Sequence, residues 1–154
     1  MRSKTFCPLL ILLFCSFMPG SIPAAQSMDR NDPTLLRSPE VSGISNAIGE
    51  GYWYEFAAGP GELAVEMEVQ CWNRYQCISS AQFVLYDSGR QELMNKSLST
   101  GNRTTLKTEK TSLKLKEKQR ILLYITNGTR ISTSAYGTYI IRFKGAIDLP
   151  GKEK

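Results

Sequence analysis

Along ELAVEMEVQC (62–71) apolar and polar residues alternate without a break. Leu63, Val65, Met67 and Val69 fall on one side, and Ala64, Glu66, Glu68 and Gln70 on the other. A period of two puts one face of a strand into a core and leaves the other to water. The same period runs through GYWYEFAA (51–58), where Tyr52, Tyr54 and Phe56 alternate, and through TYIIRFKGAI (138–147), where Tyr139, Ile141 and Phe143 share a side. Further strands are predicted over 81–87, 91–98 and 120–126, with one or two within 103–118. The breaks fall at Gly59-Pro60-Gly61, Asp87-Ser88-Gly89, Ser99 to Asn102 and Asn127-Gly128, residues that favour turns. Residues 120–126 (RILLYIT) are nearly all apolar, as expected of a central strand. No segment carries an apolar stripe at helical spacing. The predicted fold is all-β, a jelly-roll-like antiparallel β-sandwich of about eight strands over 41–147.

The N-terminal pattern is of another kind. Arg2 and Lys4 precede an apolar run from Phe6 to Phe17, and small residues close it at Ala24-Ala25. This is the order of a cleavable secretory signal peptide over 1–25. The run is shorter than the roughly 20 residues a permanent membrane helix needs. The bulky Phe14 before Cys15 is unlike a lipoprotein site. Residues 26–40, with Asn31, Asp32, Pro33, Ser38 and Pro39, read as a flexible leader, and 148–154 as a flexible tail. No later segment is long and apolar enough to span a bilayer.

Charge and cysteine count then narrow the chemistry. The chain has 19 basic and 14 acidic residues, and two of the basic ones lie in the signal. A mature net charge of +3 is too mild to call for nucleic acid, and export makes that partner less apt. The expected location is periplasmic or extracellular. Cleavage leaves Cys71 and Cys77, and an oxidising compartment favours their disulfide. Closing so short a loop contributes roughly 2–2.5 kcal/mol by chain entropy. Two thiols without any histidine do not make a zinc site, and no metal or cofactor is expected. The lack of histidine also removes Ser-His-Asp and Cys-His catalysis.

The segment YWYEFAAGPGELAVEMEV, followed by FVLYDSGRQEL, LKLKEKQRILLYITN and YGTYIIRF, resembles the bacterial pre-peptidase C-terminal domain. The matching positions are Tyr54, Phe56, Gly61, Leu85, Tyr86, Asp87, Gly89, Gly137 and Tyr139. The resemblance implies a jelly-roll-like sandwich of secreted bacterial proteins and a non-catalytic module, with no agreed ligand. Ala81 and Gln82 depart from the aspartate often found before the Leu-Tyr strand. Family members are usually appended to an enzyme, whereas this domain is expected to stand alone.

Six groups of residues are weighed as candidates for function. The CWNRYQC loop carries Trp72, Arg74 and Tyr75. Aromatic faces stack on sugar rings and arginine grips anions, so this loop is the preferred contact for a polysaccharide or protein partner. The competing reading folds Trp72 down onto the sandwich. Lys114 and Lys116 stand in a basic run from Arg103 to Arg120 that suits an anionic envelope polymer, or equally protects an edge strand. Glu66 and Glu68 lie roughly 7 Å apart along one strand, inside the range of a carboxylate pair in an inverting glycosidase. A solvated strand face looks the same, so the hydrolase is the third choice, behind a stand-alone structural or envelope-stress protein. Trp53 is out of phase with its neighbours and is expected to cover an edge or pack under the leader. Asp87 is read as a turn residue rather than a calcium ligand. Asn95, Asn102 and Asn127 begin Asn-x-Ser/Thr sequons.

Overall fold

The structure is a computed structural model and describes residues 26–45, 51–72, 79–100, 106–126 and 137–151. Among the described residues there are eight strands: β1 (Thr34–Leu35), β2 (Glu40–Ser45), β3 (Gly51–Cys71), β4 (Ser80–Tyr86), β5 (Glu92–Ser99), β6 (Leu106–Leu115), β7 (Gln119–Thr126) and β8 (Gly137–Asp148). All pairings are antiparallel except that of β1 with β3.

The key element is β3, 21 residues long. Its first half, Gly51 to Ala58, pairs with β7. Its second half, Gly61 to Cys71, pairs with β6 on one side and β8 on the other. Between the halves the register against β8 shifts, from Ala58 opposite Ile147 to Leu63 opposite Gly145. Gly59 and Gly61 take φ of +90° and +129° there, and Gly145 takes +83°, angles that glycine reaches without strain. The expected break at 59–61 is therefore a corner inside one continuous strand.

Hydrogen bonding consequently runs unbroken through β2-β8-β3-β7-β4-β5, yet it folds into two layers. The first half of β3 with β7, β4 and β5 makes layer A. Layer B contains β2, β8, the second half of β3, and β6. Phe56 of layer A meets Phe143 of layer B with ring centres 5.1 Å apart. The Ser45 hydroxyl joins β2 to β4 by donating to the Ser80 carbonyl at 2.8 Å.

The alternating residues fill the space between the layers. Leu63, Val65, Met67 and Val69 are all buried, as are Tyr139, Ile141 and Phe143 on β8 and Ile121, Leu123 and Ile125 on β7. Each such side chain contributes about 1.5–3 kcal/mol by leaving water. The all-β sandwich expected from the alternation is the fold observed. Its membership differs, because 51–58 and 62–71 merge while β1 and β2 are added. Residues 26–40, read as a leader, lie against the body: Ser27 bridges Trp53, β1 pairs beside Tyr54 and Glu55, and Leu36 is buried. No helix among the described residues is long and apolar enough to cross a membrane.

Candidate functional site

The register of layer B shows what its outer face presents. At one end, Ile44 of β2 stands opposite Thr138 of β8, Thr138 opposite Gln70 of β3, and Gln70 opposite Leu106 of β6. The next outward row is Ser42, Ile140, Glu68 and Thr108. Trp72 follows β3 two residues beyond Gln70 and is 59% exposed, with Ile44 at 53% and Leu106 at 49%. Three of the five large hydrophobic side chains exposed among the described residues thus collect at one end of one sheet face. Between them lie the amide of Gln70 and the hydroxyls of Thr138, Thr108 and Ser42. Isolated exposed apolar residues are ordinary, but a cluster bordered by polar groups is typical of contact surfaces.

Cys71 is buried at the end of β3, with its sulfur 3.3 Å from the Thr100 hydroxyl. Arg74, Tyr75 and Cys77 lie outside the described residues, and the Cys71–Cys77 pairing goes with them. Lys114 and Lys116 are exposed, with Lys114 opposite Glu62 at the far end of β6. Glu62 and Trp72 are ten residues apart, roughly 30 Å at about 3.3 Å per residue. Trp72 and the two lysines therefore do not share one site.

Three members of the basic run, Lys110, Lys118 and Arg120, meet acids from distant strands, and Lys96 of β5 meets Glu109 within it. Lys110 approaches Glu66 at 3.7 Å, Lys96 approaches Glu109 at 3.7 Å, Lys118 pairs with Asp148, and Arg120 pairs with Glu55. Among the described residues β6 pairs only with β3, and Lys107, Lys110 and Lys114 stand along this edge strand, a composition common where a sheet edge is kept from pairing further.

Glu66 and Glu68 are half-buried in an ion-pair ladder on the outer face of layer B. Lys110 and Lys144 flank Glu66, and Arg142 reaches both Glu68 at 3.3 Å and Glu40 at 2.9 Å. Hydrogen bonds from Arg142 to these two carboxylates, Glu40 first, raise the guanidinium pKa above its ordinary range. Asp87 accepts from the Gln91 amide at 2.8 Å and closes the β4–β5 turn. Among the described residues no group of three or more acidic, cysteine or histidine side chains is arranged for a metal.

An open groove of about 460 Å³ lies elsewhere, on layer A. Leu35, Phe56 and Leu149 line it, and the pairs Arg120–Glu55 and Lys118–Asp148 border it. Neither Trp72 nor the Glu66–Glu68 ladder contributes to it.

On the outer face of layer A, Trp53 packs against Tyr124 at 4.5 Å and Tyr86 at 5.9 Å between ring centres. The Arg30 guanidinium carbon lies 4.9 Å from both the Trp53 and Tyr86 rings. Trp53 thus packs under the N-terminal segment, as its phase suggested. Ile44 and Leu106 carried no sequence signal as site residues, because their approach to Trp72 depends on the pairing of four strands.

No family model and no curated protein matches this chain. Among solved structures it is similar to an arabinose-bound MgGH51 α-L-arabinofuranosidase, with a TM-score of 0.40, 10% identity, and coverage of 73% of this chain and 20% of that one. It is also similar to a structure of the infectious bursal disease virus Gt strain, with a TM-score of 0.21, 10% identity, and coverage of 70% and 35%. The chain spans well under half the length of either.

Proposed function

We propose that this chain is exported by cleavage after Ala25 and acts as a non-catalytic binding or accessory module related to the pre-peptidase C-terminal domains. Its contact surface is the Trp72 end of layer B, and its partner is an envelope polysaccharide or another surface polymer. The observation that carries this reading is the exposure of Trp72, Ile44 and Leu106 together on one sheet face. A flat strip with an indole, two aliphatic side chains and neighbouring amide and hydroxyl groups offers a stacking surface plus hydrogen bonds, which suits a sugar chain. Arg74 and Tyr75 extend the same loop in sequence, and the proposed Cys71–Cys77 disulfide holds that loop to the buried end of β3. The ion pairing of Glu66 and Glu68 favours a structural role for them over hydrolysis.

The test is retention of residues 26–154 on insoluble cell-wall and polysaccharide fractions, compared with Trp72→Ala. Retention that falls at least tenfold at an unchanged melting temperature supports the reading. No retention of the unaltered chain on any fraction overturns it in favour of a stand-alone structural protein.

A further inference from the structure

We propose that the Trp53–Tyr86–Tyr124 cluster is a second binding site, one for organic cations, and that Arg30 occupies it as a built-in substitute for an external ligand. The cluster is separate from the Trp72 surface, which lies on the other layer.

The cluster is assembled by register. Trp53 of β3 stands opposite Tyr124 of β7, which stands opposite Val84 of β4, two residues before Tyr86. The Tyr124 ring crosses Gly51 so closely that a Cβ there would meet its hydroxyl at 2.2 Å. Gly51 thus leaves room for the ring to lie flat toward Trp53. The same face carries Val84 and Leu122, both buried yet separate from the core between the layers. Layer A therefore has a second apolar patch on its outer side, floored by aliphatic residues and walled by aromatic ones.

Arg30 fills this patch in an unusual way. Its guanidinium is equidistant from two aromatic rings, while Nε and Nη2 are buried without a hydrogen-bond partner among the described residues. A buried guanidinium ordinarily finds an acid or a carbonyl. Here the ring faces supply the attraction, which is how aromatic cages hold ammonium and guanidinium groups. The slot is thus selective for a positive charge that needs no acceptor.

The segment bringing Arg30 to the slot is fastened at few points. Ser27 makes one bridge to Trp53, β1 contributes two paired residues, and the Leu36 amide donates to the Glu55 carbonyl at 2.8 Å. Beyond these, Arg90 donates to the Asn31 side chain at 3.2 Å, on the surface. Met28, Asp29, Asn31 and Asp32 around Arg30 are exposed. Arg30 lies in the exposed stretch between the Ser27 bridge and the core anchor Leu36, and a stretch of that kind opens below the global unfolding energy. Opening withdraws Arg30 and frees the slot for a methylated ammonium or an arginine side chain from a partner. The strap and the external cation then compete for one place.

The probes are tetramethylammonium and N-acetyl-arginine amide, with the Trp53 indole N–H followed by NMR in the unaltered chain and in Arg30→Ala. The expected result is binding of both cations to folded Arg30→Ala at least tenfold tighter than to the unaltered chain, with loss on a further Tyr86→Leu change. A folded Arg30→Ala that binds neither probe, or binds neutral 3,3-dimethylbutanol equally well, overturns the proposal. Should Arg30→Ala fail to fold, hydrogen exchange on the unaltered chain decides. Amides of Trp53 and Leu36 exchanging well ahead of those of Val65 and Leu123 support an opening strap, and exchange in step with them overturns it.

Discussion

Phe56 and Phe143 face each other across the two layers at 5.1 Å, their planes inclined by 49°. One belongs to the half of β3 that pairs with β7, the other to the strand that pairs with its second half. The contact pins the two layers of a strand that turns a corner. Both rings are almost wholly buried, so Phe143→Ala removes a large side chain and leaves a cavity. The expected loss is about 3–5 kcal/mol, read from the urea midpoint. Phe143→Leu, which keeps most of the volume, is expected to lose well under half of that.

The corner itself gives a second prediction. Gly145 takes φ of +83°, and a Cβ there would stand 2.2 Å from the Glu62 carbonyl oxygen. Backbone strain alone costs about 1–3 kcal/mol at such a position, and the clash with main chain adds to it. Gly145→Ala is expected to lower the melting temperature clearly. Gly151 has a similar φ of +90° but open space around it, so Gly151→Ala is expected to cost less in the same thermal scan.

Alkaline pH provides a third. Burial pushes the Tyr54 phenol up to about 12, with the neighbouring Tyr52 adding to the rise. Burial raises Tyr139 further, followed by the effects of Tyr54 and Tyr52. The Tyr139 hydroxyl is buried without a partner among the described residues, whereas a hydrogen bond with the Gln26 side chain offsets part of the rise at Tyr54. An unfolded tyrosine ionises near pH 10. The folded state keeps these protons longer, so their contribution is intact below about pH 10 and is lost as pH rises toward 12 and beyond. Phenolate absorbance should show two tyrosines ionising late, together with unfolding. Tyr139→Phe should flatten that alkaline decline while leaving stability at neutral pH equal or higher, since it removes an unsatisfied polar group.

How far the sequence reaches can be judged residue by residue. Leu63 to Val69 declare their strand and its buried face by alternation alone, because each position reports its own environment. Gly59-Pro60-Gly61 signals a break in any chain, but only the pairing on both sides distinguishes a corner from a hairpin. β2 escapes because Val41, Gly43 and Ser45 present a weak inward set. The glycine is demanded by Tyr139, whose hydroxyl would lie 2.4 Å from a Cβ at Gly43. Lys110, Lys118 and Arg120 look like one basic patch in the sequence, yet their acids arrive from β3 and β8. Ile44 joins Leu106 and Trp72 only through the register of β2, β8, β3 and β6, a long-range property that local pattern does not encode.

The most direct measurement of the proposed role is NMR shift mapping on the isotope-labelled chain 26–154, titrated with a soluble fragment of whichever envelope polysaccharide retains it. The prediction is a contiguous set of shifts at Ile44, Gln70, Trp72, Leu106 and Thr138, with the groove around Glu55 and Arg120 unchanged. Shifts confined to that groove or to Lys114 and Lys116, with Trp72 silent, would contradict it.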